Sequence, residues 1–207
     1  MMEKILPSTK TKMRILEYIY RNPGVSISEI IKKTGASPNT VVDYVDMLVE
    51  SDVLSENRVG GEKKTHIRLV SPKYDSNLSV QMFSMVEIDK RNNFFEKYKN
   101  LKPIIEQLSD LLKNHADFAL VYGSYARFAA ERDSDLDILV VGNISNQLKE
   151  KVSEVFVTFD KELSTKIETL EKFKERIGDP LHQNIASDHV VALGEMNCVK
   201  EMFSAKT

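Results

Sequence analysis

The stretch Val121-Tyr-Gly-Ser-Tyr-Ala-Arg-Phe-Ala-Ala-Glu-Arg-Asp-Ser-Asp-Leu-Asp-Ile-Leu-Val140 decides the reading of the chain. Its skeleton is Gly123-Ser124, ten intervening residues, then Asp135-x-Asp137. Phe118–Tyr122 reads as a buried strand, and Gly123 ends it where a missing side chain lets backbone N–H groups approach a phosphate. Ser124 supplies a hydroxyl and opens a helical turn whose first amides favour anions. Leu136–Val141 reads as a second strand, so its pleat turns Asp135 and Asp137 to one side and Leu136 and Ile138 to the other. Two neighbouring carboxylates repel unless a cation lies between them, and hard oxygen donors suit Mg²⁺. A phosphate cradle facing a divalent-metal site is the equipment of phosphoryl transfer. A Gly-Ser turn alone, or an Asp-Ser-Asp run alone, is ordinary loop chemistry; the fixed spacing between two β-runs is what carries the signal.

Outward from this segment the period changes several times. Asn146 to about Phe159 reads as a helix, Glu162–Thr169 as a strand, Leu170–Ile177 as a helix and Val190–Leu193 as a final short strand. On the N-terminal side, the pattern from Leu78 to Asn114 is helical and charged, with Pro103 marking a new start, and these helices are expected to join two halves. Earlier still, Thr9–Tyr20 has helix spacing, Asn22-Pro23-Gly24 breaks it, and Ser28–Lys33 forms a short helix. Thr34-Gly35-Ala36 is a tight turn, and Ser37-Pro38 is an N-cap with proline at the first helical position of a helix running to about Ser51. Val53–Arg58 and Thr65–Val70 around Gly60-Gly61 read as a hairpin. The expected class is α+β: residues 1–75, a helical connector at 76–114, and a mixed-sheet α/β domain at 115–207.

The order helix, helix–turn–helix and β-hairpin resembles a winged helix-turn-helix domain. That resemblance implies double-stranded DNA as a partner, with Asn39, Thr40 and Tyr44 on the second helix and Arg58, Lys63 and Lys64 on the wing as contacts. The second helix itself has no Lys or Arg and carries Asp43, Asp46 and Glu50, while Lys32 and Lys33 lie on the helix before it and the wing adds His66 and Arg68 to its basic residues. The alternative use of such a domain is dimerisation or partner docking.

The segment Gly123-Ser124-Tyr125-Ala126-Arg127-Phe128, followed by Ser134-Asp135-Leu136-Asp137-Ile138, resembles the minimal nucleotidyltransferases of the DNA polymerase β-like superfamily, whose signature is Gly-Ser-x-Ala-x-Gly and then Ser-Asp-x-Asp-Leu/Ile. The resemblance covers about residues 78–200, and joined to a winged helix it is similar to a group of archaeal two-domain proteins. It implies Mg²⁺ (or Mn²⁺) on the catalytic pair Asp135 and Asp137, an NTP, ATP first, held by Gly123 and Ser124, and transfer of a nucleoside monophosphate with loss of pyrophosphate. Family members of this size also imply a possible protein acceptor. Two positions depart from the pattern. Phe128 stands where the family has its second glycine, and the third carboxylate of active members falls nearest Ser164; Glu162 or Glu168, two and four residues away, substitutes after a register shift, or neither does and both are ordinary surface glutamates. The rival expectation is a transcriptional regulator whose transferase domain is degenerate and senses nucleotides.

Composition narrows the classes. The 207 residues are 42% apolar and 29% charged, and Gly (8) and Pro (6) are too few for a disordered or fibrous chain. With no apolar run of membrane-spanning length and no signal-like N-terminus, the expected setting is soluble and cytoplasmic. The net charge of −2 divides mildly: residues 1–75 hold 12 Lys and Arg against 10 Asp and Glu, the remainder 17 against 21. One cysteine, Cys198, excludes an internal disulfide and is expected to be a buried apolar residue. His115, His182 and His189 lack ligand spacing and read as packing or surface residues. The stripe Met82, Phe83, Met85, Val86 reads as core or as the seam of a homodimer.

Overall fold

A computed structural model describes residues 2–60, 66–131, 133–158 and 162–204. The chain divides into two compact units, residues 1–86 and 87–207. In the first, α1 (Met2–Ile5) precedes α2 (Lys10–Arg21), whose Thr9 cap accepts from the Lys12 N–H at 3.2 Å. β1 (Val25–Ser26) leads into α3 (Ile27–Thr34) and α4 (Pro38–Glu50), with Ser37 capping α4 and Pro38 in its first turn as the sequence predicts. β2 (Leu54–Val59) and β3 (Ile67–Pro72) form the expected antiparallel hairpin, and β1 adds to β3, giving the order β1-β3-β2. Gly61, Lys63, Lys64 and Thr65 lie outside the described residues. Ile15, Leu16, Ile19, Val41, Val45 and Leu48 close the core between the helices. Phe83 lies in this core too, its ring stacked on Tyr20 at 4.9 Å, and Met82 and Val86 are buried beside it.

Phe83 belongs to α5 (Asn77–Lys97), the helix in which the boundary between the units falls. After a 3₁₀ turn at Lys99–Leu101 comes α6 (Lys102–Leu112), with Pro103 in its first turn. The strands of the second unit are β4 (Ala116–Tyr122), β5 (Leu136–Gly142), β6 (Leu163–Glu168) and β7 (Val190–Leu193), in the order β6-β5-β4-β7. α7 (Gly123–Ala126) follows β4, and α8 (Asn146–Thr158) provides the crossover that lets β6 run parallel to β5. α9 (Leu170–Arg176), α10 (Pro180–Ser187) and α11 (Glu195–Ser204) complete the chain; the last two had no counterpart in the sequence reading.

The pleat sorts the sheet's two faces. Leu136, Ile138 and Val140 of β5 and Ala119 and Val121 of β4 pack with Ile104, Leu108, Val152 and Val155 of α6 and α8. On the other face Phe118 meets Phe173 edge-on at 5.1 Å, and Phe173 meets His182 at 5.6 Å. His182 and His189 are buried, each against a glutamate: His182 Nε2 to Glu168 Oε1 at 2.7 Å, and His189 Nε2 to Glu87 Oε1 at 3.3 Å. Cys198 is fully buried, and burial raises its thiol pKa well above the usual value, so it behaves as an apolar core residue.

Candidate active site

The register of the β4–β5 pair puts Tyr122 directly opposite Asp137, so Gly123 leaves the sheet beside that carboxylate. Gly123 has φ +72°, a conformation open to glycine at no steric cost. A Cβ there would stand 3.2 Å from Asp137 Cγ and closer still to Oδ2. Only a glycine permits this approach. The Gly123-Ser124 corner and the Asp137 side chain, fourteen positions apart in sequence, are therefore in contact, and the sequence-predicted cradle and acid pair share one site.

The single turn of α7 is closed by Phe128 N–H to Tyr125 O at 3.0 Å and Ala129 N–H to Ser124 O at 2.9 Å. Phe128, at the position of the second glycine in the signature that this segment resembles, holds φ +57°. The left-handed turn that favours glycine is thus kept by a phenylalanine, at a backbone cost of about 1–2 kcal/mol. Contacts offset it: the Phe128 ring packs against Phe94 at 6.3 Å and Tyr98 at 6.3 Å, and Lys97 Nζ donates to Phe128 O at 2.5 Å.

Asp135 is exposed just before β5, and Asp137 is half-buried on it. Burial pushes the Asp137 carboxyl above its ordinary value and the Asp135 charge adds to this, while a hydrogen bond from Ser164 and the Arg127 cation oppose it. A carboxylate in this position is stabilised by a cation set between it and Asp135.

The parallel β5–β6 register separates the residues considered for a third acidic position. Ser164 pairs with Asp137, and its hydroxyl bonds that carboxylate and also Tyr122. Glu168, considered as a substitute carboxylate, pairs instead with Val141, four residues further along, and is buried on His182 with Lys166 and Arg176 at 3.8 and 3.9 Å from its other oxygen. Neither alternative left open for Glu168, a substitute carboxylate or a surface glutamate, describes it: the side chain is buried in the core, with one oxygen on the His182 imidazole. Glu162 is exposed just ahead of β6, where its carbonyl accepts from the Leu136 N–H at 3.0 Å. Among the described residues no group of three or more His, Cys, Asp or Glu is arranged to hold a metal. The oxygen donors brought together are two carboxylates and a serine.

In the first unit the structure divides the sequence-predicted contacts. Asn39 and Thr40 are exposed in the first turn of α4. Tyr44 is not on that surface: it is 1% exposed and its hydroxyl donates to Ile5 O at 2.8 Å. The helix turns position 44 inward, where the apolar ring closes the gap to α1, so Tyr44 is core. Arg58 Nε donates to Glu56 Oε1 at 2.6 Å, and Lys63 and Lys64 lie outside the described residues. Arg68, on β3 and one of the basic wing residues the sequence offers to DNA, is engaged within its own unit, where it bridges Glu56 on β2 and Asp46 on α4.

Residues 8–55 match the family described as "Winged helix-turn-helix DNA-binding", and residues 106–192 match "Polymerase beta, Nucleotidyltransferase". The chain joins a winged helix-turn-helix DNA-binding domain to a nucleotidyltransferase-family domain. The first match covers α2 to α4; the second runs from within α6 to β7 and contains the Gly123-Ser124 corner, both aspartates and Ser164. No curated protein matches the chain significantly. Among the described residues no helix is long and apolar enough to cross a membrane.

Proposed function

We propose that the second unit binds a nucleoside triphosphate with Mg²⁺ and transfers the nucleoside monophosphate to an acceptor. The observation that carries this reading is the contact of Gly123 with Asp137, which brings a side-chain-free corner and a carboxylate pair into one site. The donor set fits the metal. Mg²⁺ keeps several waters and is commonly held by one or two carboxylates together with substrate phosphates, so Asp135 and Asp137 suffice for one ion. Bound there, the ion would neutralise charge on the transferring phosphoryl oxygens. Gly123 and Ser124 would hold the phosphate chain by backbone N–H groups and a hydroxyl, and Arg127, close enough to act on Asp137, adds positive charge at the same edge. Ser164 keeps Asp137 oriented by its hydrogen bond. Ser164, being neutral, supplies no third carboxylate at the position paired with Asp137.

The same serine favours a second reading, in which the domain binds nucleotide as a signal for the DNA-binding unit and turns it over slowly or not at all. Incubation of the intact chain with an α-labelled NTP and Mg²⁺, with RNA, a small alcohol or a co-purifying protein as acceptor, separates the two. Labelled acceptor together with released pyrophosphate, both lost in Asp135→Ala/Asp137→Ala, supports transfer. Nucleotide binding without pyrophosphate release, with a nucleotide-dependent change in DNA affinity, supports the signal.

A further inference from the structure

The recognition helix α4 presents an unusual surface for a DNA-binding unit. Its exposed first turn, Asn39 and Thr40, is uncharged, and Lys32 and Lys33 stand exposed at the end of α3. The other end of the α4 surface is acidic, with Asp43, Asp46 and Glu50. A phosphate backbone laid along α4 from the lysine end meets these carboxylates, and like charges at such range oppose binding.

One cation sits on this acidic stretch. Arg68 Nη2 donates to Asp46 Oδ1 at 2.5 Å and to Glu56 Oε2 at 2.5 Å, while its Nε reaches Glu56 Oε2 at 2.8 Å. Arg58, directly opposite Arg68 in the β2–β3 register, takes the remaining Glu56 oxygen. The four groups form a closed set of two cations and two anions spanning the recognition helix and both wing strands. Arg68, and secondarily Arg58, hold the Glu56 carboxyl below the usual carboxylate range. The Asp46 side chain stays 45% exposed and the Arg68 side chain 24%, so the set lies at the surface a ligand would meet. Neither arginine is left to clamp a phosphate, since each is already spent on a carboxylate of its own unit.

We propose that Arg68 is a positioning residue for duplex DNA: it neutralises Asp46 and Glu56, allowing the phosphate backbone to lie along α4 between Lys32–Lys33 and the wing. Its contribution is the removal of repulsion, and the direct contacts fall to the α3 lysines and the first turn of α4. A guanidinium suits the task because its planar fork serves two carboxylates at once.

The test is fluorescence anisotropy of a labelled mixed-sequence duplex with the intact chain, across a salt series. The proteins are wild type, Arg68→Met, Asp46→Asn/Glu56→Gln and the triple variant. Arg68→Met is expected to weaken binding roughly fivefold to thirtyfold at low salt, with a salt slope close to wild type's because no phosphate contact is lost, whereas a slope smaller by about one would mark Arg68 as a direct phosphate contact and overturn the proposal. The triple variant is expected to recover at least wild-type affinity, and Asp46→Asn/Glu56→Gln to bind several-fold tighter than wild type, because both Arg68 and Arg58 are then free. A triple variant as weak as Arg68→Met would show that Arg68 acts by holding the wing or by touching phosphate, and would overturn the proposal. So would an Arg68→Met protein that binds like wild type, or a double variant weaker than wild type. The double variant keeps Arg68 and decides the matter if Arg68→Met fails to fold. Absence of binding by wild type at low salt would instead remove DNA as the ligand of this unit.

Discussion

Replacing Ser164 by aspartate converts the site's neutral position into a third carboxylate. Ser164 is the register partner of Asp137 on the adjacent parallel strand, so the two side chains leave the same face about 5 Å apart. Two unit charges at that separation cost about 3 kcal/mol at an effective dielectric of about 20, and partial exposure reduces this to roughly 1–3 kcal/mol. The lost Ser164 hydrogen bond to Asp137 adds about 1 kcal/mol. Without metal, Ser164→Asp is expected to melt several degrees below wild type. Millimolar Mg²⁺ should reverse most of the loss, because an ion among three carboxylates replaces repulsion by coordination. Thermal denaturation of wild type and Ser164→Asp, each in EDTA and in Mg²⁺, reads this directly, and the variant's melting temperature should rise with Mg²⁺ well beyond wild type's. If position 164 does face the metal, pyrophosphate release should rise as well. A Ser164→Asp protein whose stability is indifferent to Mg²⁺ would mean that this position does not look onto the Asp135–Asp137 pair, and the site geometry would be wrong.

Three further outcomes follow from single residues. Gly123→Ala forces a left-handed backbone onto alanine and drives its methyl group into Asp137; it should cost about 1–3 kcal/mol and abolish Mg²⁺-dependent nucleotide binding, whereas Ser124→Ala should keep the fold and weaken binding only in part, as judged by melting and calorimetry together. Tyr44→Phe removes a buried hydrogen bond to Ile5 and should destabilise the first unit by about 1 kcal/mol while leaving DNA affinity unchanged in an anisotropy titration. His182→Leu strips the Glu168 carboxylate of its hydrogen-bond partner in the core and should cost about 2–4 kcal/mol by chemical denaturation, with nucleotide affinity preserved in the fraction that stays folded.

Much of this architecture could be read from residue pattern. Ser37-Pro38 marked the start of α4 because capping is local chemistry, and the strands flanking Gly123 declared themselves by continuous apolar runs. The Gly-Ser and Asp-x-Asp elements were legible for the same reason, each being a short-range requirement on backbone or charge. Their contact was not, since it depends on which residues of β4 and β5 face one another. Tyr44 escaped because an aromatic hydroxyl on an amphipathic helix looks equally suited to a groove or to a core, and only the position of α1 decides. Glu168 escaped similarly: strand alternation gave its face, but nothing local announced that His182, fourteen residues later, would bury against it. The pairing of Arg68 with Asp46 spans 22 residues and three elements, and the acidic helix gave only half of it. α10 and α11 went unread because each is short, eight and ten residues, and offers too few turns for a helical period to stand out.

The central claim is that the Gly123-Ser124 corner and the Asp135–Asp137 pair form one Mg²⁺–nucleotide site. Isothermal titration of the intact chain with a non-hydrolysable ATP analogue, in Mg²⁺ and in EDTA, tests it most directly when repeated on Asp135→Ala/Asp137→Ala. The account predicts saturable binding by wild type in Mg²⁺, a large loss of affinity in EDTA, and no difference between the two conditions in the double variant. Binding equally strong with and without Mg²⁺, or unaffected by removal of both aspartates, would contradict it.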